Sequence, residues 1–196
     1  MRAGIAAIAV IASIATASPA AAQFSDSYNF LKAVREKDVQ KAREILDKPG
    51  ATVVNARDPA SGDAPLHIVM RQHDLAWAGF LLQANADPNV RDRDGNTPLL
   101  LASMARFNEG VRLLIAIRAG IDIKNNAGET PLIKAVQAND IDDAKALLDA
   151  GANPDATDHA AGYSARDYAT QRGGPIARLL TAAPKRAAAP VQGPPR

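Results

Sequence analysis

The fold is decided by the stretch Gly95-Asn96-Thr97-Pro98-Leu99-Leu100, which occurs in three related copies. The other two are Gly62-Asp63-Ala64-Pro65-Leu66-His67 and Gly128-Glu129-Thr130-Pro131-Leu132-Ile133. The prolines fall at positions 65, 98 and 131, so the copies are evenly spaced with a period of 33. A weaker fourth copy, Gly162-Tyr163-Ser164-Ala165, comes one position later than this period requires, with an insertion at Ala160-Ala161. Such a period predicts a solenoid of stacked units instead of one globular core.

Each copy carries the residues that a turn followed by a helix requires. A glycine supplies a turn position with positive φ. In two of the copies a threonine then stands at the helix N-cap, and in all three a proline takes the first helical position, where a missing N–H has no cost. These residues are Gly95, Thr97 and Pro98 in one copy, Gly128, Thr130 and Pro131 in the next, and Pro65 in the first. We expect a short inner helix over 131–138, ended by Asn139 in a left-handed conformation.

An outer helix follows each inner helix, and its apolar residues recur at i, i+3, i+6 and i+7. The predicted buried stripes are Val39, Ala42, Ile45 and Leu46; Leu75, Ala78, Leu81 and Leu82; Val111, Leu114 and Ile115; and Ile141, Ala144, Leu147 and Leu148. The third unit departs from this pattern, because Asn108 stands where Leu75 and Ile141 stand. Its outer helix is predicted to be two residues longer, through Arg118, and its hairpin at 121–127 two residues shorter. We expect the lowest local stability there.

These segments resemble ankyrin repeats, whose pattern is a Gly-x-Thr-Pro-Leu-His start and a Gly-Ala-Asp-x-Asn end. The resemblance covers about residues 24–183. It implies an all-α solenoid of about five stacked helix–loop–helix units with short β-hairpins, which binds other proteins and has no catalytic residues. It also implies that His67, at the family's histidine position, forms hydrogen bonds within and between hairpins. The units are an N-terminal cap at 24–60, repeats at about 61–93, 94–126 and 127–160, and a C-terminal cap at 161–183.

The two ends of the chain differ from the repeat region. Residues 1–22 combine Arg2, a short apolar stretch and a small-residue end, which predicts a secretory signal cleaved after Ala22. An uncleaved anchor is the alternative, although the stretch is short for a membrane span. Residues 184–196 are rich in Pro and Ala, and we expect this tail to be disordered. The predicted product is a soluble periplasmic protein without membrane insertion.

Charge and composition exclude several function classes. Of the 23 basic residues, one lies in 1–22 and three in 184–196, which leaves 19 against 21 acids in the repeat region at 23–183. A basic nucleic-acid surface is therefore disfavoured. With no cysteine, disulfides and thiol nucleophiles are excluded. His67, His73 and His159 fall in three different environments, so we expect no metal site and no cofactor. We find no Gly-x-Ser-x-Gly nucleophile motif, and we predict a protein that is not an enzyme.

The predicted binding surface consists of hairpin tips and exposed inner-helix positions on the concave side. Its candidate residues are Arg57, Arg71, Gln72, Arg91, Arg93, Met104, Asn125, Asn126, Gln137 and His159, with Asp58 and Asp158 among their neighbours. An acidic protein segment that docks near Arg71, Arg91 and Arg93 is the leading hypothesis. The alternative is that these charges are only solvated. We expect Asn125→Ala to have almost no effect on stability.

Two aromatic residues stand apart from the stripes. Trp77 falls beside its stripe, at the position of Lys41, Gly110 and Asp143 in other units, which suggests an outward contact residue. Packing against a neighbouring unit is the favoured alternative. The same two interpretations apply to Phe107.

The sequence therefore predicts a monomeric periplasmic protein that binds another protein and acts as its adaptor, stabiliser or inhibitor. Neutralisation of a toxic or lytic enzyme is the second hypothesis. A hydrolase is the third, and it would need a nucleophile–base pair that the sequence does not offer.

Overall fold

The computed structural model describes the backbone of residues 19–184 and the side chains from Asp26 onward. Most of the predicted signal segment and all of the predicted tail after Pro184 lie outside the described residues. The first helix begins at Pro19 and therefore runs across the predicted cleavage point after Ala22. The helices are α1 (Pro19–Glu36), α2 (Val39–Leu46), α3 (Pro65–Arg71), α4 (Leu75–Gln83), α5 (Pro98–Ala105), α6 (Asn108–Ala116), α7 (Pro131–Gln137), α8 (Ile141–Asp149), α9 (Ala165–Arg172) and α10 (Gly174–Ala182).

The helices form two parallel rows, as the repeat pattern predicts. The inner helices α1, α3, α5, α7 and α9 pack in sequence against one another. The outer helices α4, α6, α8 and α10 pack in the same order, each beside its own inner helix. Buried apolar residues run through every unit from Phe30 to Leu180, so the core is elongated along the stack. This arrangement is an all-α repeat solenoid.

The links between units turn as hairpins but contain almost no strand. In the link between α4 and α5 the Asp92 N–H donates to the Asn96 carbonyl at 2.9 Å. In the link between α6 and α7 the Asn125 N–H donates to the Glu129 carbonyl at 3.0 Å. A single isolated bridge, between Thr157 and Ser164, occurs within residues 19–184. In the last link the Asp158 N–H donates to the Tyr163 carbonyl at 3.0 Å. This bond spans five residues of the chain, one more than the bonds from Asp92 and Asn125. This longer tip confirms the insertion at Ala160-Ala161.

The predicted helix boundaries are confirmed where capping chemistry sets them. Thr97 Oγ1 accepts from the Leu100 N–H at 3.3 Å, and Thr130 Oγ1 accepts from Ile133 at 3.2 Å. A proline occupies the first turn of both helices. Asn139 has a φ of 56°, which is the predicted left-handed end of α7.

The predicted outer-helix stripes are wrong at their first position. Val39, Leu75 and Ile141 are exposed by 41, 43 and 38%. Each is the first residue of its helix, and because helical side chains lean toward the N-terminus, these three are directed away from the rest of the helix. In α4 and α8 the position two residues later is buried instead, in Trp77 and Asp143, so the stripe of these helices begins there. In α2 the corresponding Lys41 is exposed, and the buried residues begin at Ala42.

Trp77 and Phe107 are both packing residues, and their interpretation as outward contacts is wrong. Trp77 is 6% exposed and meets the Phe80 ring edge-on with 5.3 Å between centroids. Phe107 is 4% exposed and lies over Gly110, where any Cβ would overlap its ring. A glycine at 110 thus makes room for the aromatic side chain that joins α5 to α6.

The third unit is regular, so the prediction of a longer outer helix is wrong. α6 has nine residues, as do α4 and α8. Arg118 follows its end with a φ of 61°, at the place where Asn85 and Gly151 have φ values of 64° and 94°. The stacked neighbours hold the register of the repeats, and Arg118 adopts a conformation that its side chain disfavours.

Candidate protein-binding surface

The hairpin tips and the inner helices lie on the same side of the stack. The tips are residues 58–62, 92–95, 125–128 and 158–162, and with the exposed side chains of α3, α5 and α7 they form what we call the inner-helix face. Arg71 of α3 bonds to the tip residue Asp92, and Tyr168 of α9 donates to the tip residue Asp158 at 2.5 Å. These contacts connect tips and helices into one surface.

A ladder of backbone hydrogen bonds holds the tips together. The N–H groups of Arg93, Asn126 and His159 donate to the carbonyls of Ser61, Asp94 and Ala127 at 3.1, 2.9 and 2.8 Å. The tips approach so closely that a Cβ on Gly62 would lie 2.7 Å from the Arg93 nitrogen. Glycine is therefore needed there both for its φ of 73° and for space.

Most of the candidate residues are exposed on this face. The exposed candidates are Arg57, Arg71, Gln72, Arg91, Arg93, Met104, Asn126 and His159, while Gln137 is half-buried. Arg71, Met104 and Gln137 occupy the same repeat position at the ends of successive inner helices, so they form one row across the stack. Met104, half exposed at 50%, supplies the apolar part of that row.

Arg71, Arg91 and Arg93, near which an acidic segment was predicted to dock, already have partners within the chain. Arg71 pairs with Asp63 at 2.5 Å and Asp92 at 3.3 Å. Arg91 Nη2 donates to the Lys124 carbonyl at 2.9 Å, and Arg93 Nη2 donates to the Pro59 carbonyl at 2.8 Å. Because a guanidinium carries five N–H groups, each of them keeps donors for a partner while it links neighbouring tips.

Asn125 is buried, so its predicted place among the exposed contact residues is wrong, and the neighbouring Asp158 is buried as well. Asn125 is 8% and Asp158 5% exposed. Asn125 Oδ1 accepts from the Ala127 and Glu129 N–H groups at 3.0 and 2.9 Å, which closes its tip. The signal was present in the sequence, since Asp or Asn recurs at 58, 92, 125 and 158 and such side chains close turns.

His67 has the structural role that the resemblance implied. It is fully buried, and its Nδ1 accepts from the Ala64 N–H at 2.9 Å. Nε2 therefore carries the proton, and it lies 3.1 Å from the carbonyl oxygens of both Val90 and Asn96 in the next hairpin. Burial lowers the pKa of His67, which keeps the ring neutral.

A buried polar cluster between α6 and α8 escaped the sequence analysis. Asn108 Nδ2 donates to both carboxylate oxygens of Asp140 at 3.2 Å and to Asp143 Oδ1 at 2.7 Å. Asp143 is 1% exposed, and its Oδ2 has no hydrogen-bond partner among the described residues. Burial raises the pKa of Asp143 to about 6. The unusual residues at the Leu75 and Trp77 positions, Asn108 and Asp143, were its signal.

A groove opens at the N-terminal end of the inner-helix face. It has a volume of about 440 Å³ and is lined by Tyr28, Leu31, Arg57 and Pro59, among others. Tyr28 is 65% exposed, while Arg35 at the rim is paired with Asp58 at 2.5 Å. The groove therefore combines apolar walls with the guanidinium of Arg57.

Residues 19–184 contain neither a cluster of metal-ligating side chains nor a helix that could span a membrane. No three His, Asp or Glu side chains gather there as a metal ion would need. None of the helices in this range has the length and apolar character to cross a bilayer.

Comparison with known proteins identifies the repeats. The family model for ankyrin repeats (three copies) matches residues 30–126 and again 66–158. The chain belongs to the ankyrin-repeat family. Ankyrin repeats bind other proteins, and this ankyrin-repeat chain is accordingly a protein–protein interaction module of a generally non-catalytic kind.

Individual relatives match only at the level of the repeats. The chain is 32% identical to human 2-5A-dependent ribonuclease over 84 residues, which cover 43% of this chain and 11% of that protein. It is 29% identical to yeast ankyrin repeat-containing protein YGL242C over 85 residues, or 40% of this chain and 47% of that one. A third match, yeast oxysterol-binding protein homolog 1, is 31% identical over 41% of this chain and 7% of its own length. The ankyrin-repeat chain thus spans less than half of each relative.

Proposed function

We propose that this chain is exported and binds an acidic protein segment in the periplasm through its inner-helix face, as adaptor, stabiliser or inhibitor. The observation that carries this proposal is the row of Arg71, Met104 and Gln137 beside the arginines of the tips. It offers guanidinium groups next to an exposed apolar side chain, which suits a segment with carboxylates and one apolar anchor.

The preformed geometry supports binding without large rearrangement. Arg91 and Arg93 are tied at their guanidinium groups to Lys124 and Pro59, so their positions are set before a partner arrives. Side chains that are ordered beforehand lose less entropy on binding. The N-terminal groove beside Arg57 extends the same surface and could receive an apolar side chain of the partner.

Export is supported by the pattern of residues 1–22. Expression in a bacterial host should place the protein in the periplasmic fraction with Gln23 as its first residue. Retention in the cytoplasm with an intact Met1 would contradict export and leave the binding proposal to be tested separately.

The binding proposal is tested by capture from a periplasmic extract and identification of the captured protein. Arg71→Ala, Arg91→Ala and Arg93→Ala combined should weaken capture at least tenfold. The matched control replaces Lys41, Lys145 and Arg178, three exposed cations of the outer helices, and changes the net charge equally. Thermal unfolding of both variants separates lost binding from lost stability.

Equal capture by the two triple variants would refute the inner-helix arginines as the binding determinant. The identity of the captured protein distinguishes the roles within the proposal. A lytic or toxic enzyme held at nanomolar affinity and silenced by the complex would establish the inhibitor role.

A further inference from the structure

The outer helix α4 differs from the other outer helices in its surface. It contains no charged residue, whereas each of α2, α6, α8 and α10 carries at least one. In those four helices the fifth residue is an exposed cation, namely Arg43, Arg112, Lys145 and Arg178. In α4 the fifth residue is Gly79. The row of cations along the outer helices is therefore interrupted at α4.

Nothing in the part of the chain that the structure describes requires a glycine at 79. Its backbone is helical without a positive φ, and a Cβ there would meet no atom within 4 Å. Gly110 inside α6 is different, because a Cβ on it would overlap the Phe107 ring. Glycine within a helix lowers its stability relative to other residues, so the open space above Gly79 suits an approach from outside the chain.

A groove lies beside Gly79, between α2 and α4, and we call it the outer groove. It has a volume of about 400 Å³, and Leu46 and Phe80 supply part of its lining. Phe80 is half-buried, and the Arg43 guanidinium lies 5.8 Å from its ring centroid. Among the described side chains Arg43 has no ion-pair partner, since the adjacent Glu44 pairs with Lys41 at 3.0 Å. The outer groove therefore combines an aromatic wall with an unpaired cation.

The outward charges of α2 are complementary to themselves. Arg43 is the fifth residue of the helix and Glu44 the sixth. In an antiparallel pair centred between these positions, the fifth residue of each copy is opposite the sixth of the other, so both arginines face a glutamate. The same alignment sets Gly79 opposite Phe80 in α4. A two-fold axis along the helices would instead bring α2 against α6, where Arg43 faces Arg112 and like charges repel.

We propose that two copies of the chain associate through the outer groove, with α2 and α4 of one copy antiparallel to α2 and α4 of the other. Phe80 of each copy packs against Gly79 of the second copy, and Arg43 of each pairs with Glu44 of the second copy. Because every contact occurs twice, the interface closes on itself and gives a dimer instead of a fibre. A monomer is the expectation from the sequence, and the surface of α4 is the reason to replace it.

The proposed dimer leaves both inner-helix faces free, because the outer helices form the other row of each stack. A partner that carries two acidic segments would be held by two chains at once, which raises the overall affinity without a new contact. The dimer itself depends only on α2 and α4. It does not require that the inner-helix face binds an acidic segment.

Sedimentation equilibrium of the purified chain tests the proposal. The average mass should rise from that of one chain toward that of two as the concentration increases. A chain that stays monomeric up to about 1 mM, at the weak end of specific association, would overturn the proposal. A mass that rises beyond two chains would also overturn it, because the contact would then not be closed.

Two charge reversals identify the contact. Arg43→Glu brings glutamates face to face, and Glu44→Arg brings arginines face to face, so each variant alone should dimerise at least about tenfold more weakly. An equimolar mixture of the two should regain the dimer, because every facing pair is again of opposite charge. Arg178→Glu is the control, since it reverses the exposed fifth residue of α10, outside the outer groove. A mixture that associates no better than either variant would contradict the arrangement.

Gly79→Lys separates association from folding. The lysine restores the cation of the other outer helices, and the open space leaves room for it. Because lysine favours a helix more than glycine does, the variant should melt at least at the temperature of the unaltered chain under dilute conditions. Its dimer affinity should nevertheless fall at least about tenfold, since the lysine occupies the place of Phe80 of the second copy. Dimerisation as strong as that of the unaltered chain would overturn the proposal.

Discussion

Asn108 of one unit donates a hydrogen bond to Asp143 of the next, with 2.7 Å between Asn108 Nδ2 and Asp143 Oδ1. The contact joins α6 to α8 in the column where Leu75 and Trp77 stand in the preceding unit. It places a carboxylate in a buried environment, next to Asp140 and with its second oxygen unpartnered among the described residues. This interface therefore makes the stability of the stack depend on pH.

Asp143→Asn should raise the free energy of unfolding near pH 7, by on the order of 1–2 kcal/mol. Burial raises the pKa of Asp143 from 3.8 to about 6, so between these values the folded protein binds the proton more tightly than the unfolded chain. Stability from this group is present at low pH and is lost as pH rises through about 6. Urea titrations at several pH values should show this decline as a difference in unfolding free energy between the variant and the unaltered chain that grows as the pH rises from about 4 to 7.

Asp142→Asn is the matched control for that measurement, because Asp142 is exposed one residue away on the same helix. This variant should keep most of the decline in stability with rising pH, because burial is the largest cause of the raised pKa of Asp143 and the charge of Asp142 is a lesser one. Buried His67, whose pKa is lowered, changes stability in the opposite direction on acidification, and it cancels in both comparisons. A pH dependence of stability that Asp143→Asn leaves intact would contradict this account.

Arg118→Gly should stabilise the protein by about 0.5–1 kcal/mol, because Arg118 has a φ of 61° that glycine adopts without strain. Ala116→Gly is the control, since Ala116 is the exposed last residue of α6 and glycine there should destabilise the protein by up to about 1 kcal/mol. Chemical denaturation measures both. Destabilisation of the two variants to a similar degree would mean that Arg118 is not strained.

Asn125→Ala should cost about 1–3 kcal/mol, in contrast to the silent effect expected for a surface residue. The substitution leaves the N–H groups of Ala127 and Glu129 without their acceptor and removes the 3.0 Å bond to Asn96 Oδ1. Asn126→Ala, at the exposed neighbour, should cost far less. Thermal unfolding measures the stability of both variants. Equal melting temperatures would show that the hydrogen bonds of the Asn125 side chain contribute no more to stability than those of an exposed residue.

Trp77→Ala should destabilise the stack by about 3–5 kcal/mol, as expected for a buried aromatic side chain. Leu75→Ala, two residues earlier on the same helix and 43% exposed, should cost less than about 1 kcal/mol. Urea denaturation of the two variants tests the corrected stripe directly. A larger loss for Leu75→Ala would restore the stripe that the sequence pattern predicts.

Local chemistry made much of this fold predictable. Thr97 and Thr130 cap helices, and Asn139 ends one, because these roles depend only on neighbouring residues in the chain. His67 was placed correctly through the family resemblance. The candidate surface was located in part: Arg71 and Met104 are exposed as predicted, whereas Asn125 is buried under its own turn.

By itself, the sequence determined the repeat length, the family and the positions of the inner helices α3, α5 and α7, because turn and capping residues recur at a spacing that only a stacked array explains. Tertiary structure alone decided which outer-helix residues are buried, how α6 ends and which charges are paired. Asp143, for example, is buried where it meets Asn108, which belongs to the preceding unit and is distant in the chain. Contacts between units leave no periodic signal within one helix. The burial of outer-helix residues and the pairing of charges therefore follow from the stacking of the units and cannot be inferred from the pattern of a single repeat.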